Sequence, residues 1–380
     1  MFSDNGNQSG LKSCVTGVTD YLWNGSSSIL LINFDREYVI SAQRIPNPVI
    51  LIWSEHAGLT MHGMTDPVIT RRKFLSLGGT IALSGGMAFY ASVLEPYYRL
   101  QITQYKIHPP RWIPGLKLKI AALADFHAGE GPMTIEQIIN IVKLTNSLNP
   151  DIIVLLGDYL TLDYTCPGNI PSSEIAQALS LLKAPLGVFS VLGNHDWWND
   201  EQAFKSYARL PEMAFALRKE GIPVLSNEAR YIRKDNHAFW LAGLESQWSP
   251  LDAVSSGDDL PKTLATITDD LPVIMLAHEP DIFPELPRDI SLTLSGHTHG
   301  GQIRLFGYSP KVPSRFGNRY AYGHIIENGK HLIVSGGLGT SGANLHTINQ
   351  KLGKRLGSIG NKVFHLRFGV PPEIVLIDVE

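Results

Sequence analysis

Five short apolar runs in this chain each stop at a small residue and then deliver a polar cluster, and this repeated ending narrows the fold more than any other feature. KIAALAD closes on Asp125, DIIVLLGD on Asp158, GVFSVLGNHD on Asn194 and His195, PVIMLAHE on His278, and SLTLSGHTH on His297 and His299. Continuous runs of Val, Ile and Leu read as strands buried on both faces. Helical patterns lie between them. TIEQIINIVKLTNSLN repeats apolar residues at Ile135, Ile138, Ile139 and Val142, and SSEIAQALSLL opens on a serine suited to an N-cap. Strands alternating with helices predict an α/β chain, and ligand sites in such sheets form just past the carboxyl ends of the strands. Five strands therefore bring metal-competent side chains to one edge. Near the C-terminus HLIVSGG, KVFHLRF and EIVLIDV, separated by Gly, Pro and Asn, read as further strands and point to a second sheet stacked on the first.

The motifs differ in weight. In a chain with 13 histidines a D-x-H triple arises about 0.6 times by chance, whereas G-H-x-H arises only about 0.04 times. Asp125-Phe126-His127 alone therefore carries little, while Gly296-His297-Thr298-His299 and Gly193-Asn194-His195-Asp196 carry much. The order of all of them, each closing an apolar strand, carries most.

That order, D-x-H, GD, GNHD, a lone histidine, then GHTH, resembles the calcineurin-like metallophosphoesterase family over about residues 118 to 340. The text GHTHGGQIRLFG, VSGGLGTSG and PPEI looks closest to its bacterial YaeI/YkuE-type phosphodiesterase branch. The resemblance implies an α/β (α+β) fold, a four-layer αββα sandwich of two stacked mixed sheets flanked by helices, in a domain over residues 105–380. It also implies two divalent metal ions. One takes Asp125, His127, Asp158 and His299; the other takes Asp158, Asn194, His278 and His297. Mixed imidazole, carboxylate and amide donors suit manganese, iron or zinc. Two such ions activate a hydroxide and clamp phosphoryl oxygens during in-line attack. Asp158, preceded by Gly157 with its room for close approach, suits the bridging position.

His195 is the histidine that the family does not use as a ligand; the resemblance makes it the acid that protonates the departing alkoxide. Asp196 beside it is expected to orient the ring and hold it protonated, although it could equally cap the helix opening at WWNDEQAF. Gly300, Gly301 and Gln302 read as a tight turn or as a phosphate approach, and Trp197-Trp198 as packing beneath the site or as a pocket wall. His108, His237, His324, His331, His346 and His365 fall outside the pattern.

The N-terminal hundred residues read differently. Arg71, Arg72 and Lys73 precede Phe74 to Leu94, a stretch without a charged residue, so segment 61–100 resembles a twin-arginine export signal or a membrane anchor. Such signals begin near an initiator, so translation is expected to start at Met61 or Met64, with residues 1–60 an N-terminal extension. The expected partners are the twin-arginine export machinery, the membrane through 74–94, and a phosphate-ester substrate, with a lipid-linked one suggested by the anchor. The expected location is the outer face of the cytoplasmic membrane or the cell envelope. A net charge of −3 without a basic block gives no reason to expect nucleic acid, and Cys14 and Cys166 have no zinc-type spacing. The expected activity is hydrolysis of a phosphodiester or pyrophosphate bond. Phosphomonoesterase or protein phosphatase activity of the same fold, or a non-catalytic scaffold, are the alternatives.

Overall fold

A computed structural model describes residues 18–24, 27–34, 37–43, 50–54, 58–62, 71–129, 131–161, 170–200, 203, 210–248, 257–287, 289–341, 343–344 and 363–380. Met64, Cys14, Cys166 and His346 lie outside these. The chain divides into two compact units, Met1–Met87 and Ala88–Glu380.

In the first unit, β1 (Val18–Asn24), β2 (Ser27–Phe34), β3 (Glu37–Gln43), β4 (Ile50–Ser54) and β5 (Gly58–His62) pair in sequence order as an antiparallel meander. Helix α1 (Arg71–Phe89) follows and continues as a π-helical turn, Tyr90–Leu94, into α2 (Glu95–Tyr98). Among the described residues no helix is long and apolar enough to cross a membrane.

The second unit is built on two mixed sheets. The first contains β6 (Gln101–Ile107), β7 (Leu118–Leu123), β8 (Ile152–Leu155), β9 (Val188–Ser190) and, from the far end of the chain, β18 (Glu373–Val379). Their order is β6-β18-β7-β8-β9, and only the β18/β7 pair is antiparallel. The second contains β10 (Glu228–Lys234), β11 (His237–Gly243), β12 (Val273–Leu276), β13 (Ile290–Ser295), β14 (Gly323–Glu327) and β15 (Lys330–Val334). Here the order is β10-β11-β12-β13-β15-β14, with antiparallel pairs only at the edges. A short pair, β16 (Ala343–Asn344) with β17 (Val363–Phe364), stands apart.

The period-2 alternation of strand side chains assigns the layers. Ile120, Ala122, Ile152, Val154, Val375 and Ile377 face Phe239, Leu241, Ile274, Leu276, Leu292, Leu294 and Ile333 in one core between the sheets. Their neighbours Ala121, Leu123, Ile153 and Leu155 point the other way, onto Ile138, Ile141 and Val142 of α3 (Ile135–Ser147), Ile175 and Leu179 of α4 (Ser172–Leu179) and Leu217 of a helix over Glu212–Lys219. On the outer face of the second sheet Trp240, Met275 and Val334 meet Ile282, Phe283 and Tyr320. Two stacked mixed sheets with flanking elements result, but the C-terminal runs do not together form the second one: β15 lies in it, β18 pairs beside β7 in the first, and β17 belongs to neither. Thr134 caps α3 by accepting a hydrogen bond from the Gln137 amide, but α4 opens differently from expectation. Pro171 stands at its cap and Ser172 is its first residue.

Candidate metal centre

Each apolar strand stops where its side chains change from packing to ligating. Asp125 and His127 follow β7, Asp158 follows β8, and Asn194 opens a short helix, α5 (Asn194–Trp198), after β9. His278 follows β12, and His297 and His299 follow β13. All seven are buried, with both sheets contributing to the site. The sheets are tied there directly: the His297 amide donates to Asp125 Oδ1 at 2.9 Å.

The backbone turns sharply at these ends. Asp125, His127, Asp158, His297 and His299 all have φ between 44 and 68°, in the left-handed region. That conformation costs a non-glycine residue on the order of 1–2 kcal/mol. Asp and His are among the types that tolerate it best, and it persists where surrounding structure over-determines it. Gly157, at φ 94°, lies so close to the next strand end that a Cβ would fall 2.4 Å from the Gly193 nitrogen.

The donor atoms gather in two groups around Asp158. His127 Nε2 lies 2.9 Å from His299 Nε2, His299 Nε2 lies 3.5 Å from Asp125 Oδ1, and His127 Nε2 lies 3.6 Å from Asp158 Oδ2. On the other side His278 Nε2 lies 3.2 Å from the same Asp158 oxygen, and His297 Nδ1 lies 2.8 Å from Asn194 Oδ1. Donors about 2.1 Å from one ion sit about 3.0 to 3.4 Å apart in octahedral or tetrahedral geometry. The separations, from 2.8 to 3.6 Å, lie within about 0.2 Å of that range. Asp158 Oδ2 and His278 Nε2 are moreover buried without any hydrogen-bond partner. His127 Nδ1 faces the Leu160 carbonyl at 3.2 Å and His278 Nδ1 faces the Leu156 carbonyl at 2.6 Å. A carbonyl only accepts, so each Nδ1 carries a proton and each Nε2 is left to turn inward. The residues fit divalent metal.

Electrostatics agree with ligands awaiting a cation. Burial, then the charge of His195, pulls His127 down to about 3; burial and His278 pull His297 to about 3 as well. Burial, His127 and Arg367 hold His299 well below its ordinary value. Burial pushes Asp125 up to about 7, with Asp158 adding to the rise and His278 opposing it. Burial alone would also raise Asp158, but the imidazoles of His278, His195 and His127 hold it well below the carboxylate range. His278 is the converse, raised by Asp158 against the pull of burial.

His195 lies at the rim, its ring 4.6 Å from that of His127 and its amide donating to Asp158 Oδ1 at 2.8 Å. The expectation that Asp196 orients this ring is corrected by the structure. Asp196 Oδ2 accepts from the amides of Asp158 and Gly193, and Oδ1 accepts from the Tyr159 amide, each at 2.9 Å. Its carboxylate thus fastens the turn that carries Asp158, while His195 Nδ1 is buried without a partner. Successive helix residues point about 100° apart, so neighbours in sequence do not face each other. Burial lowers the His195 pKa more than Asp158 raises it, so the ring is not held protonated.

The tryptophans divide between both expected roles. Trp197 is buried and donates to Glu245 Oε1 at 2.8 Å, whereas Trp198 stands 5.1 Å from the His195 ring. Trp198 shares a cavity of about 450 Å³ with Trp248, Ile303, Pro310, Lys311 and Leu366, floored by Asp158, Asn194, His297 and His299. Gly300 and Gly301 form a tight turn beside it, and their amides donate to the Thr298 hydroxyl and carbonyl. Sequence reasoning missed Trp248, whose ring lies 4.5 Å from His297, and Glu279, whose carboxylate accepts from the Gln247 and Trp248 amides and the Ser246 hydroxyl. It also missed Arg367, a fully buried guanidinium behind His299. A charged residue inside an apolar stretch, as Arg367 is in VFHLRFGV, was the available signal.

Residues 118–301 match the family model described as calcineurin-like phosphoesterase. An uncharacterized metallophosphoesterase of Aquifex aeolicus is 33% identical over 261 residues, which cover 68% of this chain and 91% of the relative. The uncharacterized metallophosphoesterase YkuE of Bacillus subtilis is 30% identical, covering 71% and 91%. Phosphodiesterase YaeI of Escherichia coli is also 30% identical, covering 72% and 93%.

Proposed function

The chain belongs to the calcineurin-like phosphoesterase family and is a metal-dependent phosphoester hydrolase, and on that premise we propose that it holds two divalent ions and cleaves a phosphodiester or pyrophosphate bond in a lipid-linked substrate. One observation carries the two-ion reading: the unpartnered Asp158 Oδ2 faces donors of both groups, His127 at 3.6 Å and His278 at 3.2 Å. Asp125, His127, Asp158 and His299 hold one ion; Asp158, Asn194, His278 and His297 hold the other. Manganese, iron and zinc match the donors. Bound there, the metals supply Lewis acidity to the phosphoryl oxygens and lower the pKa of water.

The chain's own residues do the rest. His195 sits where the cavity opens and hands a proton to the departing oxygen; the negative charge of a bound phosphoester raises the imidazole's affinity for that proton. Asp196 supports this from behind by fixing the Asp158 turn. Trp198, Trp248, Ile303, Pro310 and Leu366 exclude water and offer an apolar wall to the departing group, which supports a substrate with a hydrocarbon part. Arg71 and Arg72 ahead of an uncharged stretch support export, so the proposed workplace is the outer face of the cytoplasmic membrane or the cell envelope.

The test is hydrolysis of model monoesters, diesters and lipid pyrophosphates by the full chain loaded in turn with manganese, iron or zinc. Diesters or pyrophosphates should turn over fastest. Asn194→Ala and His195→Ala should each lower kcat by about 10²-fold or more. Undiminished rates in both variants would sink the mechanism, and a preference for short monoesters would sink the substrate class.

A further inference from the structure

The metal site has a strut behind it that reaches into the segment following α1. We propose that Glu95 and Arg367 are positioning residues for one half of the metal centre, the half made by Asp125, His127 and His299. The proposal rests on the two-metal reading above.

Arg367 and Glu95 are both fully buried. The guanidinium is held between carbonyls of two separate chain segments. Its Nε donates to the Gly339 carbonyl at 2.9 Å, its Nη2 donates to the same oxygen, and its Nη1 donates to the Val370 carbonyl at 2.9 Å. Nη2 also lies 3.4 Å from His299 Nδ1, on the side of the ring away from His127. Gly339 is equally engaged. Its amide donates to the Asp125 carbonyl at 2.7 Å, and a Cβ there would fall 1.9 Å from the Phe126 oxygen. One side chain thus braces the turn that presents Asp125, and as a donor-only group it packs against the His299 ring without a hydrogen bond to a protonated Nδ1. Asn194, His278 and His297 have no hydrogen bond to Arg367 among the described residues.

Glu95 fixes the loop that carries Arg367. Its Oε1 accepts from the Val370 amide at 2.7 Å, and its Oε2 is buried without a hydrogen-bond partner. The carboxylate attracts the Arg367 guanidinium electrostatically. Two more contacts lie beside it: the Arg367 amide donates to the Ala91 carbonyl at 2.9 Å, and the Tyr90 ring meets Phe368 edge-on at 5.7 Å. Glu95 and Arg367 meet through Val370, whose amide donates to the carboxylate and whose carbonyl accepts from the guanidinium, so the two buried charges fix the same peptide segment. Residues 90–98 are on this reading a working part of the catalytic unit. Processing that removed them would loosen one metal ion and spare the other.

The experiment uses the full chain with Glu95→Gln, Glu95→Ala, Arg367→Lys and Arg367→Ala, and Glu327→Ala as a remote control. Metal content after dialysis and competition with a chelator report each ion; manganese-loaded protein reports pairing by paramagnetic resonance. Removing partners that orient metal ligands weakens metal binding by about 10–100-fold. The expected result is that Arg367→Ala and Glu95→Ala lose one ion of two to the chelator by that margin and exchange the coupled two-manganese spectrum for that of an isolated ion. Glu95→Gln and Arg367→Lys, which keep an acceptor and a cation, should recover part of the pairing. If the alanine variants show native circular dichroism yet hold both ions as tightly as wild type, the strut is overturned. If they do not fold, the glutamine and lysine variants decide: wild-type affinity for both ions in these overturns it too. Wild-type protein that bound no metal would instead overturn the functional reading.

Discussion

Asp158 shows how much one residue does at this site. It ends a buried strand, turns the backbone into the left-handed region, accepts the His195 amide through Oδ1 and offers Oδ2 to both donor groups. Its ionisation comes from the imidazoles around it, above all His278, whose raised pKa is the counterpart. Metal loading must therefore displace protons from the groups that hold them in the free protein. These are Asp125, raised to about 7, and His278, raised well above 6.5. His127 and His297, lowered to about 3, have none to give near neutrality. Below about pH 7, loading should then release between about one and two protons per chain, and affinity should strengthen as pH rises towards 7. Calorimetry at about pH 6 in buffers of different ionisation enthalpy reads the number directly; no release, or uptake, would show the charges to be distributed otherwise.

At the scale of elements, strand ends do the positioning, and the tightest junction is between β8 and the loop after β9. Gly157 allows it. Gly157→Ala should cost at least about 2 kcal/mol in metal-free urea unfolding, because the left-handed φ and the 2.4 Å approach to Gly193 penalise the same methyl group. An unchanged midpoint would mean that the two turns part easily. These junctions were legible beforehand because they are local: an apolar run, a glycine and a ligand follow one another in the text. The site's supports were not. Glu95, Gly339 and Arg367 are far apart in sequence, and nothing in the surroundings of each names the others. Asp196 departs from its expected role because neighbours along α5 do not share a face, and its carboxylate reaches back to the β8 turn. The N-terminal strands escaped notice since β1 to β5 form an antiparallel meander without a clean apolar alternation in the text.

For the molecule as a whole, the catalytic unit runs from Ala88, and its N-terminal stretch includes the end of α1, a helix that begins at the twin arginines. If that pair is read by an export machinery, a C-terminal reporter fused to the full chain should appear outside the cytoplasmic membrane. Replacing Arg71 and Arg72 together by lysine should keep it inside, since the charge is conserved and only the guanidinium pair is lost. A reporter exported equally well with lysines would remove the twin-arginine reading while leaving the chemistry untouched. The left-handed turns at Asp125, His127, Asp158, His297 and His299 have a longer consequence, for inheritance. Such positions admit Asn, Asp, His or Gly at small cost and exclude branched side chains. A descendant that abandoned catalysis would be steered towards asparagine and glycine at these five places, never towards valine or isoleucine. The vanished site would then still be readable as a fossil in its backbone.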